Sequence, residues 1–153
     1  MSIDFRLTVA GNVPLDEVAS SVAPDAVETR TPSGGRAFKA SHNEEFGYVV
    51  DITSGEHGYV EAEDDDGSQW TWEPERYVKI SFAMQKEELA DKGVPHMLAA
   101  VSRVLTERPE DAALTLNSNW LLLTRQGGDL RKHQPSWWSH YGLEGSEIAP
   151  RLG

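Results

Sequence analysis

The segment Tyr77–Leu89 reads YVKISFAMQKEEL, and it decides the fold class of this chain. Apolar Val78, Ile80, Phe82 and Met84 are separated by more polar residues. A period of two places successive side chains on opposite faces of an extended chain. The segment is therefore predicted to form a half-buried β-strand that ends at about Met84.

An amphipathic helix is predicted after this strand. Pro95 suits the first turn of a helix, and Pro109 is expected to end it. Between them, apolar residues recur at the i, i+1, i+4, i+7 and i+8 spacing that lines one helical face. These residues are Met97, Leu98, Val101, Val104 and Leu105.

The beginning of the chain carries the same two patterns on a smaller scale. Residues 3–9 (IDFRLTV) alternate between apolar and polar side chains and predict another half-buried strand. Pro14 then suits the start of a short helix that Pro24 ends. Leu15, Val18, Ala19 and Val22 would form its buried face.

The remaining strand patterns come in runs separated by short turns. The predicted order is β-α-β-β-β-β-α-β-β-β, with only weak strand signals on either side of the turn at residues 32–35 (PSGG). Short turns favour an antiparallel sheet. We predict an α+β fold, a mainly antiparallel sheet with two amphipathic helices packed on one face. Residues 1–153 are expected to form a single domain, with about 142–153 as a loosely ordered tail.

The net charge of −11 is concentrated in one part of the chain. Residues 43–75 contain 11 acidic residues and no Lys or Arg, whereas acids and bases balance elsewhere. Such a surface repels phosphates, so we expect no binding to nucleic acid or to an anionic membrane. The absence of Cys and of any apolar run near the roughly 18 residues of a membrane span fits a cytoplasmic protein.

The centre of the acidic segment is predicted to be a β-hairpin. The Asp-Gly pair at 66–67 is a strong turn signal, and strand-like residues flank it. Trp70 and Trp72 lie on the same side of the second strand. Two interpretations remain open: the Trp side chains face the core, or they anchor a protein partner, since Trp is enriched at interface hot spots.

A calcium loop is the alternative for the same segment. Residues 62–73 nearly match a twelve-residue calcium-binding loop, with Asp64, Asp66 and Glu73 as ligands. Position one is Ala62, which has no carboxylate, and strands rather than helices flank the loop. A solvated hairpin tip and a docking surface for a basic protein are the other interpretations.

Signals of catalysis are weak throughout the sequence. The sequence contains no G-x-S-x-G element and no phosphate-binding loop. Its five His residues do not have the spacing of a known metal-binding motif. We therefore expect no cofactor and no catalytic residues. A small enzyme of unknown chemistry remains as an alternative.

Several blocks together resemble the Sit-type immunity family of bacterial polymorphic-toxin systems, named for swarming-inhibition toxins. The blocks are MSIDFRLTVAG (1–11), YVKISFAMQKEEL (77–89), VPHMLAAVSRVLTERPEDAALTLN (94–117) and WLLLTRQGGDLRKH (120–133), with an aromatic close at Trp137-Trp138. Residues 25–75 match this pattern poorly. The acidic segment is therefore the part most particular to this protein.

The resemblance implies a protein that binds a cognate toxin domain and blocks it, without catalysis of its own. By analogy, the poorly matching acidic segment would be the specificity surface. We predict that it meets a basic surface of the toxin through complementary charge and a Trp anchor. The predicted partner-binding residues are Glu61, Glu63, Asp64, Asp65, Asp66, Trp70, Trp72, Glu73 and Glu75.

Overall fold

A computed structural model describes residues 2–143, apart from the side chains of Ser2 and Glu88. Within this range the chain forms ten strands and three α-helices. A 3-10 turn and a π-helical turn, Lys86–Glu88 and Leu89–Gly93, precede the longest helix. The strands are β1 Ser2–Ala10, β2 Val27–Arg30, β3 Arg36–His42, β4 Tyr48–Glu56, β5 Val60–Glu63, β6 Gln69–Trp72, β7 Arg76–Gln85, β8 Ala112–Leu116, β9 Trp120–Gln126 and β10 Asp129–Lys132; the helices are α1 Leu15–Val22, α2 Val94–Glu107 and α3 Pro135–His140.

All ten strands belong to one sheet with the order β2-β3-β4-β7-β1-β8-β9-β5-β6. Pairing is antiparallel except for one parallel bridge, between Glu63 of β5 and Trp120 of β9. Strand β10 occupies the rest of that edge of β9, from Leu123 to Gln126. Backbone hydrogen bonds from His57 to Glu75 and from Gly58 to Pro74 join the base of the β5–β6 hairpin to the β4–β7 pair, and the bridge to Trp120 joins its other end to β9.

The apolar residues of the two strands predicted from alternation form much of the core of the protein. Phe5, Leu7 and Val9 of β1 and the apolar set of β7 are almost fully buried on one face of the sheet. The buried stripes of α1 and α2 belong to the same hydrophobic cluster. The α+β class and the mainly antiparallel sheet are confirmed, whereas the packing of two helices on one face stays a prediction.

The third helix, α3, was not predicted. It buries Trp137 and Trp138, and the Trp137 ring centre lies 5.8 Å from that of Phe5. The Trp138 indole N–H reaches the carbonyl oxygens of Leu122 and His133. At six residues α3 is too short to show a helical period in the sequence.

Two strands that had only weak sequence signals are also present. Both weak segments around residues 32–35 form strands, β2 and β3, so six strands rather than four separate α1 from α2. All four residues of β2 are exposed, so no alternation of polarity marks it. Residues 144–153 lie outside the described part of the chain, and with them most of the predicted tail.

The opposite face of the sheet is polar at its centre. Arg6 and Thr8 of β1 lie opposite Ser81 and Lys79 of β7, and Arg6 also faces Thr115 of β8. Farther along, the face carries a small second cluster of Ala62, Ala113 and Leu121, against which Trp70 and Trp72 pack. The β5–β6 hairpin thus covers one end of this face. No helix within residues 2–143 combines the length and the apolar character needed to cross a membrane.

Arg125 fixes the end of α2 to strand β9. Its side chain is only 4% exposed. Nη1 donates to the carbonyl oxygen of Leu105 at 2.6 Å and Nε to that of Glu110 at 3.0 Å, while Nη2 donates to that of Arg108. A cation at this position also complements the negative end of the α2 dipole. Burial lowers the pKa of Arg125, and the nearby acid Glu110 opposes that effect.

We expect Arg125→Leu to lower the free energy of unfolding by about 2–4 kcal/mol, because three buried or part-buried carbonyl groups lose their donors. Urea denaturation followed by tryptophan fluorescence measures the effect. Arg131→Leu, on the neighbouring strand and 62% exposed, is the matched control and should change the midpoint little. Equal losses in the two variants would contradict the anchoring role.

Candidate functional site: the acidic hairpin

The predicted hairpin is present, and its turn closes as the Asp-Gly pair predicts. Strands β5 and β6 pair from Val60–Trp72 to Glu63–Gln69. The Asp64 N–H donates to the Ser68 carbonyl at 2.9 Å, and the Gly67 N–H to the Asp64 carbonyl at 3.0 Å. Gly67 has a φ of +82°, a conformation that glycine adopts with little strain.

The two sides of the hairpin have different environments. Trp70 and Trp72 are half-buried, pack on Ala62 and Leu121, and have ring centres 6.1 Å apart. Side chains alternate along a strand, so the intervening residues face the other way, and Glu61 is exposed there. The Trp side chains therefore face the sheet and are only partly exposed, whereas Glu61 on the other side of the strand is exposed to solvent.

The tip of the hairpin is joined to the body of the protein by a buried histidine. His133 Nδ1 lies 2.7 Å from Asp64 Oδ1, and its Nε2 lies 2.8 Å from Thr124 Oγ1 on β9. A carboxylate can only accept, so Nδ1 donates to Asp64, and a neutral imidazole then accepts from Thr124. His133 is 3% exposed, so this connection is shielded from water.

Asp65 makes a second connection at the same place. Its Oδ1 accepts from the Gln134 backbone N–H at 2.6 Å, and the Gln134 side-chain amide donates to the Glu63 carbonyl at 2.9 Å. Arg131 Nη2 lies 3.8 Å from the other oxygen of Asp65. Gln134 holds a positive φ of 56°, a strained conformation for a residue other than glycine. The turn is thus fixed against the segment between β10 and α3.

The pKa values of two acids in the turn are lowered. Burial raises the pKa of Asp64, but hydrogen bonds from the Asp65 N–H and from His133 outweigh it, so the pKa lies below the usual 3.8. The pKa of Asp66 is lowered chiefly by the Ser68 hydroxyl and then by the Ser68 N–H. Both side chains are therefore ionised at neutral pH.

The predicted partner-binding residues occupy three kinds of position. Asp64 and Asp65 hold the turn, and Trp70 and Trp72 pack inward. Glu63 is half-buried and belongs to the strand that meets β9. The remaining predicted acids are exposed: Glu61, which accepts from the Tyr59 hydroxyl, Asp66, Glu73, and Glu75, which lies 3.1 Å from His57.

Sequence reasoning missed the residues that position this site. His133, Gln134 and Thr124 lie far from the hairpin in the sequence, since His133 follows Asp64 by 69 positions. The bond between them depends on β10 pairing with β9 at a particular register. No local pattern records that register, so no sequence signal pointed to His133.

The grouping of possible metal ligands differs from the one predicted. Asp64, Asp65 and His133 have ligand atoms within 4.8 Å of one another. The predicted set was Asp64, Asp66 and Glu73, and the last two are not in this group. Both nitrogens of His133 already have protein partners, and so does Asp64 Oδ1, so hydrogen bonding accounts for the cluster.

The order Thr124, His133, Asp64 also matches that of a nucleophile, a base and an orienting acid. Thr124 is 6% exposed, however, and its hydroxyl points to His133 from the middle of β9. A substrate could not reach this oxygen without displacing the hairpin or the strand. The arrangement acts as a structural connection between three parts of the chain.

The fold and the site together define an α+β protein whose candidate site is a fixed, acidic surface. The family model described as SitI3-like matches residues 3–142, and the chain belongs to this family of immunity proteins of toxin systems. The resemblance seen in the sequence is confirmed. Comparison with curated proteins and with solved structures gave no significant match.

We expect Asp64→Ala to lower the free energy of unfolding by about 1–3 kcal/mol, because the buried His133 loses its hydrogen-bond acceptor. Asp66→Ala removes the same charge from the same turn but only a contact with Ser68. Chemical denaturation of the two variants compares them directly. A loss for Asp66→Ala as large as that for Asp64→Ala would show that the tie to His133 is unimportant.

The contribution of Asp64 should depend on pH. Its pKa is lower in the folded protein than its usual value of 3.8, so the ionised group stabilises the fold above that pH. This stabilisation is lost as the pH falls through the folded-state pKa. The difference in unfolding free energy between the parent and Asp64→Ala should be present at pH 5 and narrow below about pH 4.

Proposed function

We propose that this chain is an immunity protein that binds and neutralises a cognate toxin domain without catalysis of its own. Membership of the SitI3-like family supports an immunity role in general. The observation that carries the finer proposal is the acidic hairpin, which is held rigidly while Glu61, Asp66, Glu73 and Glu75 stay exposed. We propose the cytoplasm as the compartment, consistent with a chain that has no cysteine.

The predicted site residues take different roles in this proposal. The exposed acids supply complementary charge to a basic surface of the toxin and raise the rate of encounter. Asp64, Asp65 and Glu63 set the position of the turn. Trp70 and Trp72 pack against the face of the sheet and support the hairpin there. Only their exposed edges contact the partner. Because the turn is already ordered, little conformational entropy is lost on binding.

A pair of charge-matched variants tests this interface. The first combines Glu61→Gln, Asp66→Asn and Glu73→Gln; the control combines Glu87→Gln, Asp91→Asn and Asp129→Asn, all exposed and outside the acidic segment at residues 43–75. Both lose three negative charges, so long-range effects of net charge cancel in the comparison. The partner is the candidate toxin domain, for example one encoded next to this chain.

We expect the hairpin variant to associate about tenfold more slowly than the control at low ionic strength, with the difference shrinking as salt is added. Surface plasmon resonance at several salt concentrations measures the rates, and survival of toxin-producing cells reports neutralisation. Equal association rates for both variants would overturn the assignment of the hairpin, whereas no binding by the parent would overturn the proposed function itself.

A further inference from the structure

A cavity of about 130 Å³ lies on the polar face of the sheet, beside the acidic hairpin. Its floor is formed by β1, β7 and β8, and its wall by residues 58–61, which lead into the hairpin. Its lining is rich in hydrogen-bond donors. Arg6 and Lys79 contribute positive charge, and Tyr77, Thr115 and Ser118 contribute hydroxyl groups.

The two cations are neighbours on the same face. Lys79 pairs with Thr8 and Arg6 with Ser81, so Arg6 and Lys79 stand diagonally across adjacent strands. Burial is the main cause that lowers the pKa of Lys79, and the positive charge of Arg6 lowers it further. Like charges placed side by side destabilise a sheet unless a counter-charge lies between them.

Within the described residues, no hydrogen bond or ion pair joins Arg6 or Lys79 to a carboxylate, although Asp51 lies on the same face of the sheet. Arg6 Nε is buried and lacks a hydrogen-bond partner there, although the whole chain has 25 acids. The carboxylate at the rim, Glu61, is engaged by the Tyr59 hydroxyl at 2.5 Å. A buried donor without a protein acceptor is unusual in a folded protein, and water or a bound ion is the usual partner of such a group.

We propose that the Arg6–Lys79 cavity binds an oxyanion, and that its occupant in function is a side-chain carboxylate of the toxin partner. The assignment of the occupant to the toxin rests on the proposed function. A guanidinium group offers Nε and Nη donors that match the two oxygens of a carboxylate. Glu61 at the rim and the net charge of −11 disfavour a doubly charged phosphate more than a singly charged carboxylate.

The cavity and the hairpin together require a partner with a particular charge pattern. The acidic hairpin favours basic residues, and the adjacent cavity favours one acid among them. A partner with the reverse or a uniform pattern would place like charges together and would bind more weakly. The cavity thus sets the orientation of the partner and selects among partners, and the hairpin raises the rate of encounter.

A titration of the isolated protein tests the cavity without any toxin. Acetate and inorganic phosphate are the probes, and the NMR signal of the Arg6 Nε–H reports occupancy at constant ionic strength. We expect saturable shifts with acetate in the millimolar range. Lys79→Gln should abolish saturation, whereas Lys39→Gln, which removes an exposed charge paired with Asp51 on the same face, should not. Retained amide spectra show that both variants are folded.

The titration can overturn either the anion site or the assignment of its occupant as a carboxylate. No saturable acetate shift, or equal behaviour of the Lys79 and Lys39 variants, overturns the anion site. Phosphate binding more than about tenfold tighter than acetate overturns the carboxylate assignment in favour of a phosphate compound.

Binding to the toxin domain then tests the source of the carboxylate. We expect Lys79→Gln to raise the dissociation rate about tenfold and Lys39→Gln to leave it unchanged. Parent-like dissociation of Lys79→Gln overturns the toxin carboxylate as occupant while the proposed function stands. Failure of the parent to bind overturns the proposed function, and the acetate titration still decides whether the cavity takes an oxyanion.

Discussion

The rest of the structure depends on the pairing of β1 with β7 on one side and with β8 on the other. Nine residue pairs join β1 to β7, from Ser2–Gln85 to Ala10–Tyr77, and five join it to β8. This places the first strand of the chain in the middle of the sheet. Because side chains alternate, one strand supplies Phe5 and Leu7 to the core and Arg6 and Thr8 to the opposite face.

The same alternation gives the two faces of the sheet opposite chemical character. The core side is almost wholly apolar, and its residues belong to one hydrophobic cluster that also includes the buried residues of α1 and α2. The opposite side is polar at its centre and holds the Arg6–Lys79 cavity and the base of the acidic hairpin. A shift of β1 by one residue would exchange the two sets of side chains, so the buried face strongly specifies the register that creates the polar one.

The acidic hairpin illustrates how a charged segment is kept in place. Its Trp residues pack on a small cluster, and Asp64 and Asp65 bond to His133 and Gln134. Some of the acids that give the segment its charge therefore hold it to the protein, and the others stay exposed. A specificity surface within an immunity family benefits from this division, since exposed residues can change without loosening the turn.

The sequence by itself determined the elements with strong periodicity: β1, β7, α1, α2 and the Asp-Gly hairpin, together with the location of the net charge and the family. Each of these follows from residues close together in the chain. Tertiary structure alone decided that α3 forms, that Trp70 and Trp72 face the sheet, that His133 meets Asp64, and that Arg6 and Lys79 share a cavity. The physical reason is that these contacts depend on strand order and register between distant segments, which local periodicity does not encode.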